Sequence, residues 1–284
     1  MDARYCSTSA HKTTELKGEK MKIFILADAE GVSGVVSMEH QSKPGSIGYA
    51  ETRSLLMSDL NAAIEGAQSA GAKEIVVYDM HYFGLNVITG DLHPAASVVL
   101  GKPPKVKPPV GMDESFDALM LVGNHTMAEA GGILPHTYTL DMRALRLNGV
   151  LMGEIGLEAA IAGVHGVPLA FLSGDDASIG EAKSLLGDVE GACVKYADGL
   201  CLPPSKTRGI IRESASSALR RLGDFKPYRV DPPFRIEIEF YDESSAAKAA
   251  SVENVRKKGS RGVAMEGADL PLLWESFFSK YTAL

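Results

Sequence analysis

Four short apolar runs, each ending in acidic or imidazole side chains, constrain this chain more than any other feature. Ile23-Phe24-Ile25-Leu26-Ala27 leads into Asp28-Ala29-Glu30-Gly31-Val32, and Glu74-Ile75-Val76-Val77-Tyr78 leads into Asp79-Met80-His81. Ala118-Leu119-Met120-Leu121-Val122 leads into Gly123-Asn124-His125, and Ala170-Phe171-Leu172 leads into Ser173-Gly174-Asp175-Asp176. Short runs that are apolar at every position are the pattern of parallel strands buried on both faces. In open sheets of that kind, chemistry gathers just beyond the carboxyl ends of the strands. The expected fold class is therefore α/β, a mostly parallel sheet flanked by helices.

Side chains two apart on a strand point the same way, so Asp28 and Glu30 aim two carboxylates at one place. Two such groups repel each other and are costly to desolvate, and a divalent cation removes that cost. The alternative is a helix cap or a solvated turn. A single histidine after a strand is usually a hydrogen-bonded structural residue. Two of the seven histidines, His81 and His125, stand in the same position beside Asp28 and Glu30. Carboxylate plus imidazole is the ligand mix of hydrolytic zinc or manganese sites. Glu154 opens a helix after the Asn148-Gly149 hairpin signal. It is read either as a favourable charge at the helix N-terminus or as a third carboxylate ligand. His136 is either a loop residue or a general acid or electrophile beside a metal. Asp79 and Asn124 are expected to orient the histidines.

Residues 52–70 carry Leu56, Leu60, Ile64 and Ala67 on one stripe and stop at Gly71, which predicts a helix and a right-handed βαβ unit. The hairpin 143–152 runs into a helix carrying Leu157, Ile161 and Val164. Beyond strand 168–172, helix 178–186 and strand 192–196, the stretch Leu202-Pro203-Pro204 marks an expected boundary. A helix 205–222, strand 234–240, helix 243–255, strand 262–265 and helix 268–280 then read as a smaller α+β C-terminal domain. The expected organisation is an extension 1–20, disordered or vector-derived, a metal-binding α/β domain 21–204, and a second domain 205–284.

The balance of 29 basic to 36 acidic residues, net charge −7, argues against a nucleic-acid footprint. Lys102, Lys105 and Lys107 lie in a Pro-rich stretch that reads as a solvated loop. No run approaches the ~18–20 apolar residues of a membrane span. The three cysteines, Cys6, Cys193 and Cys201, form no Cys-x-x-Cys pair and suggest reduced thiols in a cytoplasmic protein. There is no phosphate loop and no Gly-x-Ser-x-Gly nucleophile.

Taken in order, Asp28-Ala29-Glu30-Gly31-Val32-Ser33-Gly34, Asp79-Met80-His81, Leu92-His93-Pro94, Gly123-Asn124-His125, His136, Gly153-Glu154-Ile155-Gly156-Leu157 and Gly174-Asp175-Asp176 resemble the DppA-type D-aminopeptidase family. These are self-compartmentalising dinuclear zinc peptidases. The resemblance covers residues 21–284 and is strongest up to about residue 200. It implies two zinc ions per subunit, held by Asp28, Glu30, His81, His125 and Glu154, with His136 as a further active-site residue. It also implies a ring-stacked homodecamer and a short peptide substrate whose N-terminal residue, of D configuration, is released.

Five ligands exceed the three protein ligands of a usual catalytic zinc site. Two ions ~3.5–4 Å apart would share them, with Asp28 placed as the bridge. The other classes of function are a metal-dependent amidase or phosphoesterase on the same ligands, and a non-catalytic, peptide-transport-associated metal-binding protein. Leu270, Leu272, Leu273, Trp274, Phe277 and Phe278 exceed what one helix face needs and are expected to add to a subunit interface.

Overall fold

The computed structural model describes residues 20–102 and 111–284. The expected extension 1–20 lies outside the described residues except for its last position, as do Lys105 and Lys107. The chain runs β1 (Lys22–Ala27), α1 (Tyr49–Ser69), β2 (Glu74–Asp79), β3 (Ala96–Val99), β4 (Ala118–Asn124), β5 (Met142–Leu147), β6 (Val150–Met152) and α2 (Glu154–Val164). It continues through β7 (Leu169–Asp175), α3 (Asp176–Leu186), β8 (Glu190–Lys195), α4 (Pro204–Arg220), β9 (Phe234–Phe240), α5 (Glu243–Ala250), β10 (Arg256–Lys258), β11 (Gly262–Gly267) and α6 (Leu270–Ala283).

Six strands form one sheet in the order β3-β2-β1-β4-β7-β8, and every pairing in it is parallel. Strand β1 shows why its residues are apolar throughout. Ile23, Ile25 and Ala27 face a core shared with Leu56, Leu60 and Ile64 of α1 and Ile211, Ala215 and Leu219 of α4. Phe24 and Leu26 face the opposite core, with Ile155, Ala159 and Ala162 of α2 and Ala182 of α3. The strand order reverses between β1 and β4. That is the topological switch point, where a crevice opens beyond the strand ends of such sheets.

The other five strands form an antiparallel sheet in the order β10-β11-β9-β5-β6. Its inner face packs on α5 and α6 through Phe234, Ile236, Ile238, Phe240, Trp274 and Phe277. Helix α2 lies between the two cores, because Leu157, Ala160 and Ile161 pack here while Ile155, Ala159 and Ala162 pack on the parallel sheet. A helix apolar all round is a buried helix. Only its end is open, and Val164, expected on the buried stripe, is exposed.

Sheet membership does not follow the expected division at residue 204. The hairpin β5–β6 pairs with β9 of the second sheet, while α4 packs on α1 and on the parallel sheet. Strands β3 and β10 were not anticipated, being short and weakly patterned. The aromatic residues of α6 are mostly consumed inside the second core. Leu270, Trp274 and Phe277 are buried, Leu273 and Phe278 pack against them, and Leu272 alone is exposed. They therefore lend no support to a subunit interface. Among the described residues no helix is long and apolar enough to cross a membrane.

Candidate metal centre

The turns after β1 and β4 touch backbone to backbone. Asp28 N–H donates to Val122 O at 2.9 Å and Gly31 N–H to Gly123 O at 2.6 Å. A Cβ on Gly31 would fall 1.9 Å from Asn124 O, and one on Gly123 would fall 2.2 Å from Asp28 O. Gly123 also has φ +78°, the left-handed region that disfavours other residues. Glycine at both places lets the two turns approach closely enough for their side chains to meet.

Asp28, Glu30, His81, His125 and Glu154 converge and all are buried. His81 Nδ1 lies 3.1 Å from Asp28 Oδ1 and 3.0 Å from Glu30 Oε2. His125 Nε2 lies 3.5 Å from Asp28 Oδ2 and 3.2 Å from Glu154 Oε1. Asp28 thus presents one oxygen to each of two groups that could hold a metal ion, Asp28–Glu30–His81 and Asp28–His125–Glu154. His136 joins a third grouping with Glu30 and His125. Its ring stacks on His125 at 3.9 Å between centroids, and its Nε2 is 3.9 Å from Glu154 Oε1.

The outward nitrogens fix which ring atom faces inward. His81 Nε2 donates to Ser42 O at 2.9 Å, His125 Nδ1 to Thr126 O at 2.9 Å, and His136 Nδ1 to Leu134 O at 3.0 Å. A carbonyl only accepts, so each of these nitrogens carries hydrogen, and the inward nitrogen is the one available as a ligand. The inward atoms Glu30 Oε2 and His125 Nε2 are buried and make no well-directed hydrogen bond, meeting the facing groups only at ion-pair distance. Buried polar atoms are rarely left so. Zinc bonds of about 2.0–2.2 Å at a tetrahedral angle set neighbouring ligand atoms ~3.3–3.6 Å apart. The 3.0–3.5 Å contacts above are close to that spacing, so the residues fit divalent metal.

The electrostatics point the same way. Burial, then the charge of Glu30, pushes Asp28 up to about 7. Burial acts likewise on Glu30 and Glu154, but the charges of His81 and His125 overcome it and hold both carboxyls below their usual range. Burial disfavours charge on His81 and His125, yet the facing carboxylates prevail, raising His81 well above its ordinary value and His125 to about 10. His136 goes the other way, lowered by burial and by the His125 charge. Protons between these groups offset the carboxylate charge, and metal binding displaces such protons.

The D-aminopeptidase (peptidase M55) family model matches residues 21–278. The chain belongs to the D-aminopeptidase family. It is 29% identical over 257 residues to a D-aminopeptidase of Bacillus subtilis (strain 168), spanning 88% of this chain and 93% of that one. Among solved structures it is similar to the Zn-dependent D-aminopeptidase DppA from Bacillus subtilis, described as a self-compartmentalizing protease. The TM-score is 0.87 at 27% identity, covering 92% of this chain and 97% of the other.

In this member of the D-aminopeptidase family the supporting groups differ from those expected. The Asp79 carboxylate accepts from Asn86 N, Asn86 Nδ2 and Val87 N. It shapes the turn after β2 and reaches His81 only at its carbonyl, through Asn86. The Asn124 side chain has no hydrogen-bond partner and so bonds to neither imidazole. Two supports were missed. Ser42 bonds to Glu30 Oε1 at 2.5 Å as well as capping His81, and Tyr138 N–H donates to Glu154 Oε1 at 2.7 Å. Neither lies on a periodic segment, so neither carried a sequence signal. Ser173 Oγ accepts from Gly123 N–H, a structural role.

Proposed function

We propose that this chain is a zinc-dependent aminopeptidase that releases N-terminal D-amino acids from short peptides or amides. Two zinc ions per subunit are held by Asp28, Glu30, His81, His125 and Glu154. The observation that carries the reading is Asp28, whose two carboxylate oxygens face two different imidazoles. Zinc in such a site supplies Lewis acidity and an activated water at neutral pH. The chain's own residues do the rest. Asp28 faces both groups, the carbonyls of Ser42 and Thr126 hold the rings of His81 and His125 at their outward nitrogens, and the Tyr138 N–H holds Glu154. His136, pinned at Nδ1 by Leu134 O, directs a bare Nε2 toward the same space, where it takes a proton from the attacking water and returns it to the leaving amine. The protein acts as a homodecamer in the cytoplasm, in keeping with the self-compartmentalizing relative.

The test is a panel of D- and L-aminoacyl amides, short peptides and a phosphate monoester, assayed with zinc-loaded and chelated protein. Release of D-residues by the zinc-loaded form alone is the expected result. Turnover of the phosphate monoester without amide cleavage would overturn it in favour of a phosphoesterase, and zinc binding without any turnover would leave a binding protein. Light scattering checks assembly against a 30.2 kDa monomer.

A further inference from the structure

Lys195, the last residue of β8, is fully buried. A lysine interior to a protein needs partners, since desolvating its ammonium is costly. Its Nζ donates to the backbone carbonyls of Glu30 and Val35, more than 150 residues away in sequence. Both carbonyls belong to the segment 28–35, which carries two of the five proposed ligands. A second buried charge grips the same segment. Asp59 of α1 accepts from Ser33 N–H at 2.9 Å, and Ser33 Oγ lies 2.9 Å from Asp59 Oδ1 and from Thr207 Oγ1 of α4. The segment has no regular hydrogen-bonding of its own beyond short turns and the two bonds to the β4 end. The segment is therefore fixed by an ammonium from β8 and a carboxylate from α1.

We propose that Lys195 is a positioning residue for the metal centre. Its ammonium, tied to Glu30 O and Val35 O, sets the backbone that carries Asp28 and Glu30 before metal arrives, with the Asp59–Ser33–Thr207 contacts completing the clamp. The inference rests on the proposed metal site. It differs from a general packing role in what it affects. A lysine that merely filled space would influence stability alone. One that presets the ligand-bearing backbone governs affinity for zinc, because a loosened segment must be reordered each time an ion binds.

The experiment is zinc affinity by chelator competition on the full chain, beside thermal unfolding of the metal-free protein. Lys195→Met keeps the length of the stem and removes the donors. It is expected to weaken zinc binding ~10–100-fold, the range seen when groups supporting ligands are removed. Thr207→Val, which removes one hydroxyl from the clamp, is expected to weaken it by less and in the same direction. Phe240→Ala, in the core of the second sheet, is the control, expected to lower the unfolding temperature and leave zinc affinity within twofold. Folded Lys195→Met with wild-type affinity overturns the proposal. If that variant does not fold, wild-type affinity in Thr207→Val overturns it instead. An equal loss of affinity in Phe240→Ala also overturns it, by making the effect one of stability. Wild-type protein that binds no zinc overturns the functional reading and this inference together. Zinc binding by the wild type with an unchanged clamp variant removes this inference alone.

Discussion

In the six-stranded sheet all strands run the same way, so their carboxyl ends gather along one edge. In the five-stranded sheet neighbours alternate in direction, and the ends are divided between two edges. Three adjacent strands of the first sheet, β2, β1 and β4, place His81, Asp28 with Glu30, and His125 within reach of one another. The second sheet contributes Glu154 alone, through the turn from β6 into α2. Its own outer face carries ion pairs such as Arg143–Glu239 and Lys258–Glu237, which are exposed and worth little each. Strand direction, more than composition, decides which sheet can concentrate ligands. The antiparallel sheet packs on α6 and on α2, whose first residue is Glu154.

The segment joining the two sheets offers the largest test of this division. It carries His136, which stacks on His125 yet comes from neither sheet. His136→Ala should lower turnover ~10²–10⁴-fold, the range for an acid–base group, with bound zinc close to wild type. Metal analysis and kcat measured together check it. Loss of zinc would make His136 a ligand and move part of the centre off the parallel sheet, and near-normal turnover would make it a bystander.

A core truncation in the second sheet sharpens the comparison. Phe240, the last residue of β9, is fully buried against α6, its ring 5.5 Å from that of Tyr281. Phe240→Ala should cost about 3–5 kcal/mol of stability, read by chemical denaturation, while kcat well below the unfolding transition stays within a few-fold. An equally large fall in kcat would show that the two sheets are not separable in function.

Much of the first sheet was legible in the sequence because both faces of its strands are covered, which leaves unbroken apolar runs. The converging residues of the proposed centre stood out because they follow those runs directly, and Glu154 because a hairpin signal marks the start of its helix. What stayed hidden depends on contacts between distant residues. Nothing local marks β5 as the partner of β9, some 90 positions on, or α4 as a companion of α1. Ser42 ends a five-residue π-helical turn, Met38–Ser42, too short to show a period. Lys195 ends a strand in a stretch that reads as ordinary surface, although its ammonium is buried beneath Glu30. Asp59 stands inside a helix whose stripe of Leu56, Leu60 and Ile64 draws attention to another face.

Asp59 also gives the smallest expected effect. Burial, countered in part by the Ser33 hydrogen bonds, pushes its carboxyl up to about 6, against about 3.9 in an unfolded chain. The folded state therefore holds the proton more tightly. The stabilisation this represents is fully present below about pH 4 and is lost as pH rises through about 6. Asp59→Asn cannot titrate. Wild type should gain on the variant by on the order of 2–3 kcal/mol between pH 7 and pH 4, followed by thermal unfolding at stepped pH. A difference that does not change with pH would mean that Asp59 is not the group that titrates, and that the parallel sheet tolerates a buried charge there without cost.

The two glycines where the turns after β1 and β4 touch limit how this centre can be remodelled. A methyl group at Gly31 or Gly123 meets a carbonyl of the opposite turn, so the gap between Asp28 and His125 cannot be widened in small steps by substitution at either place. A redesign for a larger cation would have to work from the periphery, by moving the turn that bears His81 or the start of α2 that bears Glu154, with the inner pair left as a fixed gauge.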